Sequence, residues 1–374
     1  MDINPKTSKT RRSSRVSGRR ATLKEVAAEV GVSQATVSNA YNRPDQLSEG
    51  LRERILETAK RLGYAGPDPT ARGLRKKRTG AIGALYTDRL SYAFADPAAV
   101  MFFEGVSVAT EEAGLGLLLI PGGSLGQRDP EVLGSAAVDG FVIFCMAEDD
   151  PLVEAALRRH MPAVLVDQPP IEGVPSIGID DEAAARIAAE HLTGLGHRRF
   201  AVVSFDLDKD AKSGFADLDK QRAATYLPSR ARLRGYESAL EAAGIPWEDV
   251  PVYECGENVP GMAEEAARAL LALEPRPTAV LATSDQLAFG FMEAAKKAGV
   301  SIPEEVSVVG FDNVPEAVRS NPPLTTIHQP HVEKGLQAGR MLIAQLRDEE
   351  PLEMQVLLPT SLVVRGSAAR LETD

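Results

Sequence analysis

Only two of the 374 residues are cysteine, one is tryptophan and five are histidine. Cys145 and Cys255 lie far apart without metal-ligand spacing, so neither a disulfide framework nor a metal site is expected, and both read as buried, inert thiols. No apolar run approaches the length of a membrane span. Residues 1–20 are rich in Arg, Ser and Thr and lack the apolar stretch of a secretory signal, which predicts a cytoplasmic protein with no membrane partner. Nucleotide signatures are missing as well. A strand-like run leads into Gly122-Gly-Ser-Leu-Gly126, the kind of turn an oxidoreductase uses, but the spacing departs from G-x-G-x-x-G and no Gly-rich Lys-Ser/Thr phosphate loop occurs. No paired carboxylates or Ser/His/Asp order stand out, so neither an enzyme nor a cofactor is expected. His197 and His328 read as hydrogen-bonders of loops or hinges.

What is present is a charge asymmetry. The net charge is -11, yet residues 1–78 hold 18 Lys+Arg against 8 Asp+Glu, whereas residues 79–374 hold 24 against 45. A basic head on an acidic body is the polarity of a DNA-binding module joined to something that stays off DNA. The length exceeds one ordinary domain, and 44% hydrophobic content suffices for buried cores. Residues 1–20 carry Lys6, Lys9, Arg11, Arg12, Arg15, Arg19 and Arg20 with almost nothing to bury. They read as a disordered basic tail, either touching phosphates or merely solvated.

Residues 21–66 carry a three-helix pattern. Thr22 followed by Glu25 is a capping box, and Leu23, Val26, Ala27 and Val30 recur at helical spacing. Gly31 supplies the positive φ of a tight turn, Ser33 caps a second helix, and Val37 and Ala40 face the first, the spacing of a helix-turn-helix. Ser48 opens a third helix with Leu51, Ile55, Ala59 and Leu62 on one face, ended by Gly63. A purely structural bundle would share this pattern. The second helix, however, exposes small polar or neutral residues suited to a major groove, not the Glu/Lys mix of a solvated face. By geometry Gln34, Ala35 and Asn39 approach base edges, while Ser33, Thr36, Ser38, Tyr41 and Asn42 hold phosphates.

Thr22-Leu-Lys-Glu-Val-Ala27, Gly31-Val-Ser-Gln-Ala-Thr-Val-Ser38, Asn42, Arg54-Ile55, Leu62-Gly-Tyr64 and Ala71-Arg-Gly-Leu74 together resemble the lactose/galactose repressor family of transcription regulators. The resemblance implies that residues 67–78 form a hinge whose helix, 69–77, folds only on operator DNA, with Leu74 as a minor-groove wedge. The residues suit this: Asp68 can cap and Pro69 can start a helix, Gly73 keeps it marginal, and Arg72 and Arg75 flank the exposed leucine as phosphate contacts. A flexible basic linker with one incidental leucine is the bland alternative.

From Gly80 short apolar runs alternate with amphipathic helices: strand-like runs at 81–86, 115–120, 141–145, 163–166, 200–204, 250–253, 279–282 and 306–311, separated by helical stretches such as 98–113, 182–193, 231–243, 262–273 and 286–298. Such alternation predicts an α/β body with two parallel sheets, whose ligands bind beyond the carboxyl ends of the strands. The resemblance continues through Val138-Asp-Gly-Phe-Val142, Leu195-Gly-His-Arg-Arg199, Arg232, Gly235-Tyr236, Ser284-Asp-Gln286, Ser307-Val-Val-Gly-Phe-Asp312 and Pro323-Leu-Thr-Thr326 with Gln329. It implies a two-lobed, periplasmic-binding-protein-like effector and dimerisation domain over 79–366. Crossovers are placed near 167–168, 328–330 and 359–361, giving one lobe at about 79–167 and 330–360, the other at about 168–329 and 361–366, and a tail at 367–374.

The candidate effector site comprises Asp312, Arg232 and Ser284, with the loop Thr87 to Asp96, carrying Tyr92 and Phe94, and Met146 from the other lobe. Asp312 ends a buried strand where a carboxylate can accept two hydroxyls, and the resemblance assigns Arg232 a grip on the effector. Each has a bland reading: Asp312 as a turn residue, Arg232 as a surface ion pair, Ser284 as a helix cap. Asp180 and Asp181 read as caps of the following helix. Phe94, Phe205 and Tyr226 are candidate platforms for a sugar, since Trp247 is expected over the sheet's outer edge. The long connection 206–228 is either a lid or a surface insertion. The expected partners are a near-palindromic operator, a small-molecule effector of the sugar or related-metabolite class, and a second copy of the chain. A purine-type corepressor and an extracytoplasmic solute-binding protein are the alternatives.

Overall fold

The computed structural model describes residues 21–66, 78–87, 89–122, 130–147, 149–209, 212–349 and 353–371. The chain divides into two compact units, Met1–Thr79 and Gly80–Asp374.

In the first unit, α1 (Leu23–Val30) starts on the full capping box: the Glu25 amide donates to Thr22 Oγ1 at 3.3 Å, and the Thr22 amide donates to Glu25 Oε2 at 2.7 Å. Gly31 stops it at φ 77°, a conformation a side chain would strain, and Ser33 starts α2 (Gln34–Asn42) by accepting from the Thr36 amide. Ser48 occupies the first cap of α3 (Glu49–Leu62), yet its side chain makes no capping bond. Val26, Ala27, Val37, Ala40, Ile55 and Ala59 form the core that fixes the three helices.

The second unit has two sheets. In chain order its elements are β1 (Ala81–Tyr86), α4 (Leu90–Ala93), α5 (Pro97–Ala113), β2 (Gly116–Pro121), α6 (Glu131–Ser135), β3 (Phe141–Phe144), α7 (Pro151–Leu157), β4 (Ala163–Val166), β5 (Ser176–Ile179) and α8 (Asp181–Gly194). There follow β6 (Phe200–Ser204), β7 (Gly214–Phe215), α9 (Leu218–Arg222), α10 (Leu227–Ala242), β8 (Val252–Glu254), α11 (Ala263–Leu271), β9 (Ala279–Ala282) and α12 (Asp285–Lys297). Last come β10 (Ser307–Asp312), β11 (Thr325–His328), α13 (His331–Leu346), β12 (Gln355–Leu358) and β13 (Ser361–Val363). The first sheet, in the order β12-β5-β4-β3-β1-β2, is parallel throughout; the second, β13-β11-β10-β9-β6-β8-β7, is parallel except for its two edge strands. Runs such as Phe141–Phe144 and Ala279–Ala282 are buried on both faces, as helices on either side of a parallel sheet require. On the first sheet α5 and α13 cross so closely that a Cβ on Gly335 would strike the Phe102 carbonyl, and one on Gly105 the Val332 carbonyl.

Two boundaries differ from the sequence expectation. Ser176–Ile179, expected within the second lobe, pairs with β4 and β12 in the first sheet, so the first crossover comes after Ile179 and not near 167–168. The first lobe therefore extends to Ile179. Residues 367–371 are not a loose tail: Ser367 Oγ accepts from the Thr325 amide at 2.8 Å and donates to the Val308 carbonyl, and the Leu371 amide donates to the Leu195 carbonyl. The described part of 206–228 is folded, holding β7, α9 and a buried Gln221 whose Oε1 accepts from Trp247 Nε1 at 2.8 Å. Strands β5, β11, β12 and β13 escaped the sequence reading because each is short and mixes polar residues or glycine with its apolar ones, unlike the equally short but wholly apolar β3, β4 and β9.

Candidate functional site

On the head, Gln34 and Ala35 are exposed at the start of α2, and Asn39 follows on the same helix, partly exposed, its Nδ2 3.5 Å from Gln46 Oε1. Ser33 Oγ lies 2.8 Å from Thr36 Oγ1, and Asn42 Nδ2 donates to the Ser38 carbonyl at 2.9 Å, so this row of small polar groups is held by short-range bonds along α2. Tyr41 is half-buried, with its ring edge-on to Tyr64 at 6.1 Å. Arg72, Leu74 and Arg75 lie outside the described residues.

In the body, the carboxyl ends of the two sheets face one cavity of about 110 Å³. Several parallel strands end here in left-handed backbone: Cys145 at φ 51° after β3, Asp167 at φ 52° after β4, and Asp312 and Asn313 at φ 124° and 57° at the end of β10. Such conformations persist only where surrounding contacts hold them. For Asp312 those contacts are plain: Asp285 Oδ2 accepts from the Val314 amide at 2.9 Å, and Arg365 donates to Asn313 Oδ1 at 2.6 Å. Asp312 is thus a turn residue and a cavity residue at once.

Arg232, on α10, is buried and lines the cavity. Its Nε donates to Asp181 Oδ1 at 2.8 Å, a terminal nitrogen donates to the Thr283 carbonyl, and another contact reaches Asp312 Oδ1 at 4.0 Å. Its guanidinium carbon sits 3.7 Å from the Phe311 ring centroid. Burial opposes the guanidinium charge, but Asp181 and Asp312 more than offset this and raise its pKa. The ion pair expected of Arg232 therefore exists, but inside the body. Asp181 is accordingly not a cap: Asp180 caps α8, accepting from the Ala183 amide, and Asp181 is the partner of Arg232. Ser284 is buried, caps α12 by accepting from the Leu287 amide, and faces the cavity beside Asn258.

Two of the candidates lie elsewhere. Phe94 is 68% exposed and does not line the cavity, because Tyr92 is the aromatic of that turn that points inward. Met146 is buried in the core beneath β3 with Leu85, Ile143 and Leu165, since the left-handed Cys145 turns its own side chain to the cavity instead. Phe205 and Tyr226 do line it, and Trp247 does not.

The structure adds residues that the sequence did not single out. Lys334 is fully buried, and its Nζ donates to both carboxylate oxygens of Asp167, at 2.9 and 2.7 Å, and to Gln329 Oε1 at 2.9 Å. Gln329 Nε2 in turn donates to Asp312 Oδ1 at 2.7 Å. The chain Asp167, Lys334, Gln329, Asp312 therefore runs from the first lobe through a crossover to the second. His331 beside it is buried, and neither ring nitrogen is hydrogen-bonded; Nε2 lies 3.6 Å from Asp312 Oδ1. Burial lowers the His331 pKa, which keeps the ring neutral. Asp96 caps α5 through the Ala98 amide, is buried, and also lines the cavity. It closes the Thr87–Asp96 loop expected at the effector site, although the sequence did not single out its carboxylate.

Among the described residues, the contacts between the lobes around this cavity include four besides those of Lys334, Gln329 and His331. Arg89 pairs with Glu257 at 3.2 Å, Tyr92 Oη donates to the Asn258 carbonyl at 2.8 Å, Thr87 Oγ1 lies 3.4 Å from Tyr226 Oη, and Lys209 Nζ reaches Asp149 Oδ1 at 2.6 Å. The cleft is closed.

Comparison with known proteins places both units. Residues 22–66 match the family model of bacterial regulatory proteins, lacI family, and residues 189–368 match that of the periplasmic binding protein-like domain. The HTH-type transcriptional regulator Rv3575c of Mycobacterium tuberculosis is 44% identical over 355 residues, covering 94% of this chain and 97% of that one. The chain belongs to the lacI family. Among solved structures, the lac repressor dimer bound to operator and the anti-inducer ONPF is similar at TM-score 0.75 and 25% identity, covering 94% of this chain and all of that one. A transcriptional regulator CelR–cellobiose complex is similar at TM-score 0.66 and 29% identity, covering 93% and 100%. This lacI-family protein is thus a transcription regulator and not an enzyme, with a helix-turn-helix head and a two-lobed α/β body. Among its described residues no helix is long and apolar enough to cross a membrane.

Proposed function

We propose that this regulator is a homodimeric repressor whose body closes on a small neutral polyol, a sugar or a related metabolite, and thereby releases a near-palindromic operator. The observation that carries the reading is the buried Nδ1 of His331, which has no hydrogen-bond partner, in a cavity that also presents Asp312, Asp96 and the Arg232 guanidinium; Nε2 of the same ring lies 3.6 Å from Asp312 Oδ1. An unsatisfied buried polar group costs about 1–3 kcal/mol. Polar atoms left so in a cavity are accounted for if a ligand satisfies them.

The chemistry narrows the ligand. Asp96, Asp167, Asp206 and Asp312 bring more negative charge than Arg232 and Lys334 balance, which disfavours a phosphate ester and favours hydroxyl donors. The cavity of about 110 Å³ is smaller than the roughly 300–1,000 Å³ of sites for drug-sized ligands, which fits a single small ring. Phe205, Tyr92 and Tyr226 supply apolar faces for such a ring. The CelR relative holds cellobiose, which makes a sugar a natural first test.

On the DNA side, one α2 covers too few base pairs for specificity, so two heads are needed a fixed distance apart; the lac repressor relative is a dimer on its operator. Gln34, Ala35 and Asn39 are assigned to base edges, Ser33, Thr36, Ser38, Tyr41, Asn42, Arg72 and Arg75 to phosphates, and Leu74 to the minor-groove wedge. The test is a thermal-shift screen of neutral sugars, polyols, nucleosides and sugar phosphates, followed by operator titration with any hit. A neutral polyol that raises the melting temperature and weakens operator binding is the expected result. A nucleoside or purine that strengthens operator binding would overturn the reading.

A further inference from the structure

Asp96 and Asp312 come to the cavity from opposite lobes, one at the start of α5 and the other at the end of β10. Both are buried, Asp96 at 8% and Asp312 at 6% exposure. Their surroundings differ in one respect. Asp312 has Gln329 at 2.7 Å, His331 at 3.6 Å and Arg232 at 4.0 Å. Asp96 has the Ala98 and Ala99 amides and the Tyr92 hydroxyl, and no cation pairs with it among the described residues. Closing the cleft therefore brings an uncompensated carboxylate out of water and towards a second one. Each of those moves disfavours the charged form.

We propose that Asp96 is a first-lobe binding residue for the effector and that, with Asp312, it forms a like-charge clamp which closes only when a proton or the effector's hydroxyl donors meet its charge. The proposal rests on the cleft being the effector site, and it adds a residue and a proton linkage to that reading. An ionised Asp96 in the closed cleft needs donors, which a polyol brings. Without a polyol, a proton does the same work. Consistent with this, burial, aided by the Asp312 charge, pushes the Asp96 carboxyl up to about 7 in the closed cleft.

The sign follows from linkage. The closed state holds Asp96 at a raised pKa, whereas in an open, solvated cleft it tends towards the ordinary value of about 3.9. Closure is then most favourable below about 4, is lost as pH rises towards about 7, at up to tenfold per pH unit, and is level above that. The other charged or titratable groups around the cavity are Asp312, Arg232, His331, Asp206, Asp167 with its partner Lys334, Cys145, Tyr86, Tyr92 and Tyr226. His331 works in the opposite direction. Its pKa is lowered by burial, so its contribution to closure is lost as pH falls.

The test uses the full chain without any effector, so its failure is distinct from the failure of an effector screen. Spin labels on Ser135→Cys and Ser301→Cys, exposed residues of the two lobes, report the lobe separation in samples diluted with unlabelled protein. The native thiols of Cys145 and Cys255, both pushed up to about 12 by burial, stay protonated and unlabelled. The expected result is a closed distance at pH 5 and a growing open population by pH 8. Asp96→Asn, which keeps a capping side chain on α5, should stay closed at both pH values. Asp312→Asn should move the midpoint downwards by removing the facing charge. A separation independent of pH in the unsubstituted protein, or the same pH dependence in Asp96→Asn, would overturn the clamp.

Discussion

The turn around Asp312 is held by contacts of its neighbours, Asp285 on the Val314 amide and Arg365 on Asn313, in addition to the bond that its own carboxylate accepts from Gln329 Nε2. Asp312→Ala should therefore keep the fold and operator binding while losing the effector response. His331→Phe is the sharper companion, because it keeps ring volume and removes only the two ring nitrogens, Nδ1 without a partner and Nε2 at 3.6 Å from Asp312. Its body should be at least as thermally stable as the parent, and its effector affinity should fall by about tenfold or more, corresponding to the loss of one or two hydrogen bonds of about 1–1.5 kcal/mol each. Isothermal titration with the polyol found by the screen reads this directly; unchanged affinity would remove His331 from the site. On the head, Gln34→Ala should alter which bases a site selection recovers, whereas Arg72→Ala should weaken binding to all sequences and flatten its salt dependence. The reverse pattern would mean that the head is oriented wrongly. The single-residue signals legible in the sequence were those with a local rule: the Thr22/Glu25 capping box, the positive φ of Gly31, Asp312 at a strand end. Lys334 and His331 had none. A lysine and a histidine in the first turns of an amphipathic helix read as solvent-facing, and only the approach of Asp167 and Gln329 from other elements buries Lys334.

At the scale of elements, the crossing of α5 and α13 fixes the first lobe. Gly335→Ala puts a methyl group against the Phe102 backbone, where no flexible side chain can yield, and should destabilise the body by roughly 1–3 kcal/mol or more in chemical denaturation. A loss below that would mean the helices can separate at little cost, and that the lobe is softer than its packing implies. The hinge proposed for residues 67–78 belongs to this scale as well. On that proposal Leu74→Ala should lower operator affinity and DNA bending with little effect on the body's melting, because a helix over 69–77 alone would need the duplex to form. Unchanged bending would make the segment a plain linker. Elements with long periodic patterns, α1 to α3, α5, α8 and α12, were visible in the sequence, as were strands that are apolar throughout, β3, β4 and β9 among them. Short strands of mixed composition were not. Ser176–Ile179 carries one glycine and one serine in four residues, and its pairing is set by β4 and β12 from distant parts of the chain. Missing it moved the first lobe boundary.

At the scale of the molecule, the acidic body and basic head keep the DNA contact on one unit, so a ligand in the cleft must act through the lobes. In the proposed reading, closure around the cavity rotates one lobe against the other and, in a dimer, alters the spacing of the two heads. The connection from effector to operator is then a coupling free energy and must be reciprocal. The decisive measurement is the effector's dissociation constant for the free regulator and for the regulator saturated with operator, set beside the operator's dissociation constant with and without saturating effector. The account predicts that both ratios equal the same factor, that the effector binds more weakly to the operator complex, and that Asp312→Ala abolishes both shifts while leaving effector-free operator affinity within about twofold. An effector that binds the cleft with identical affinity in the free and operator-bound protein would contradict it.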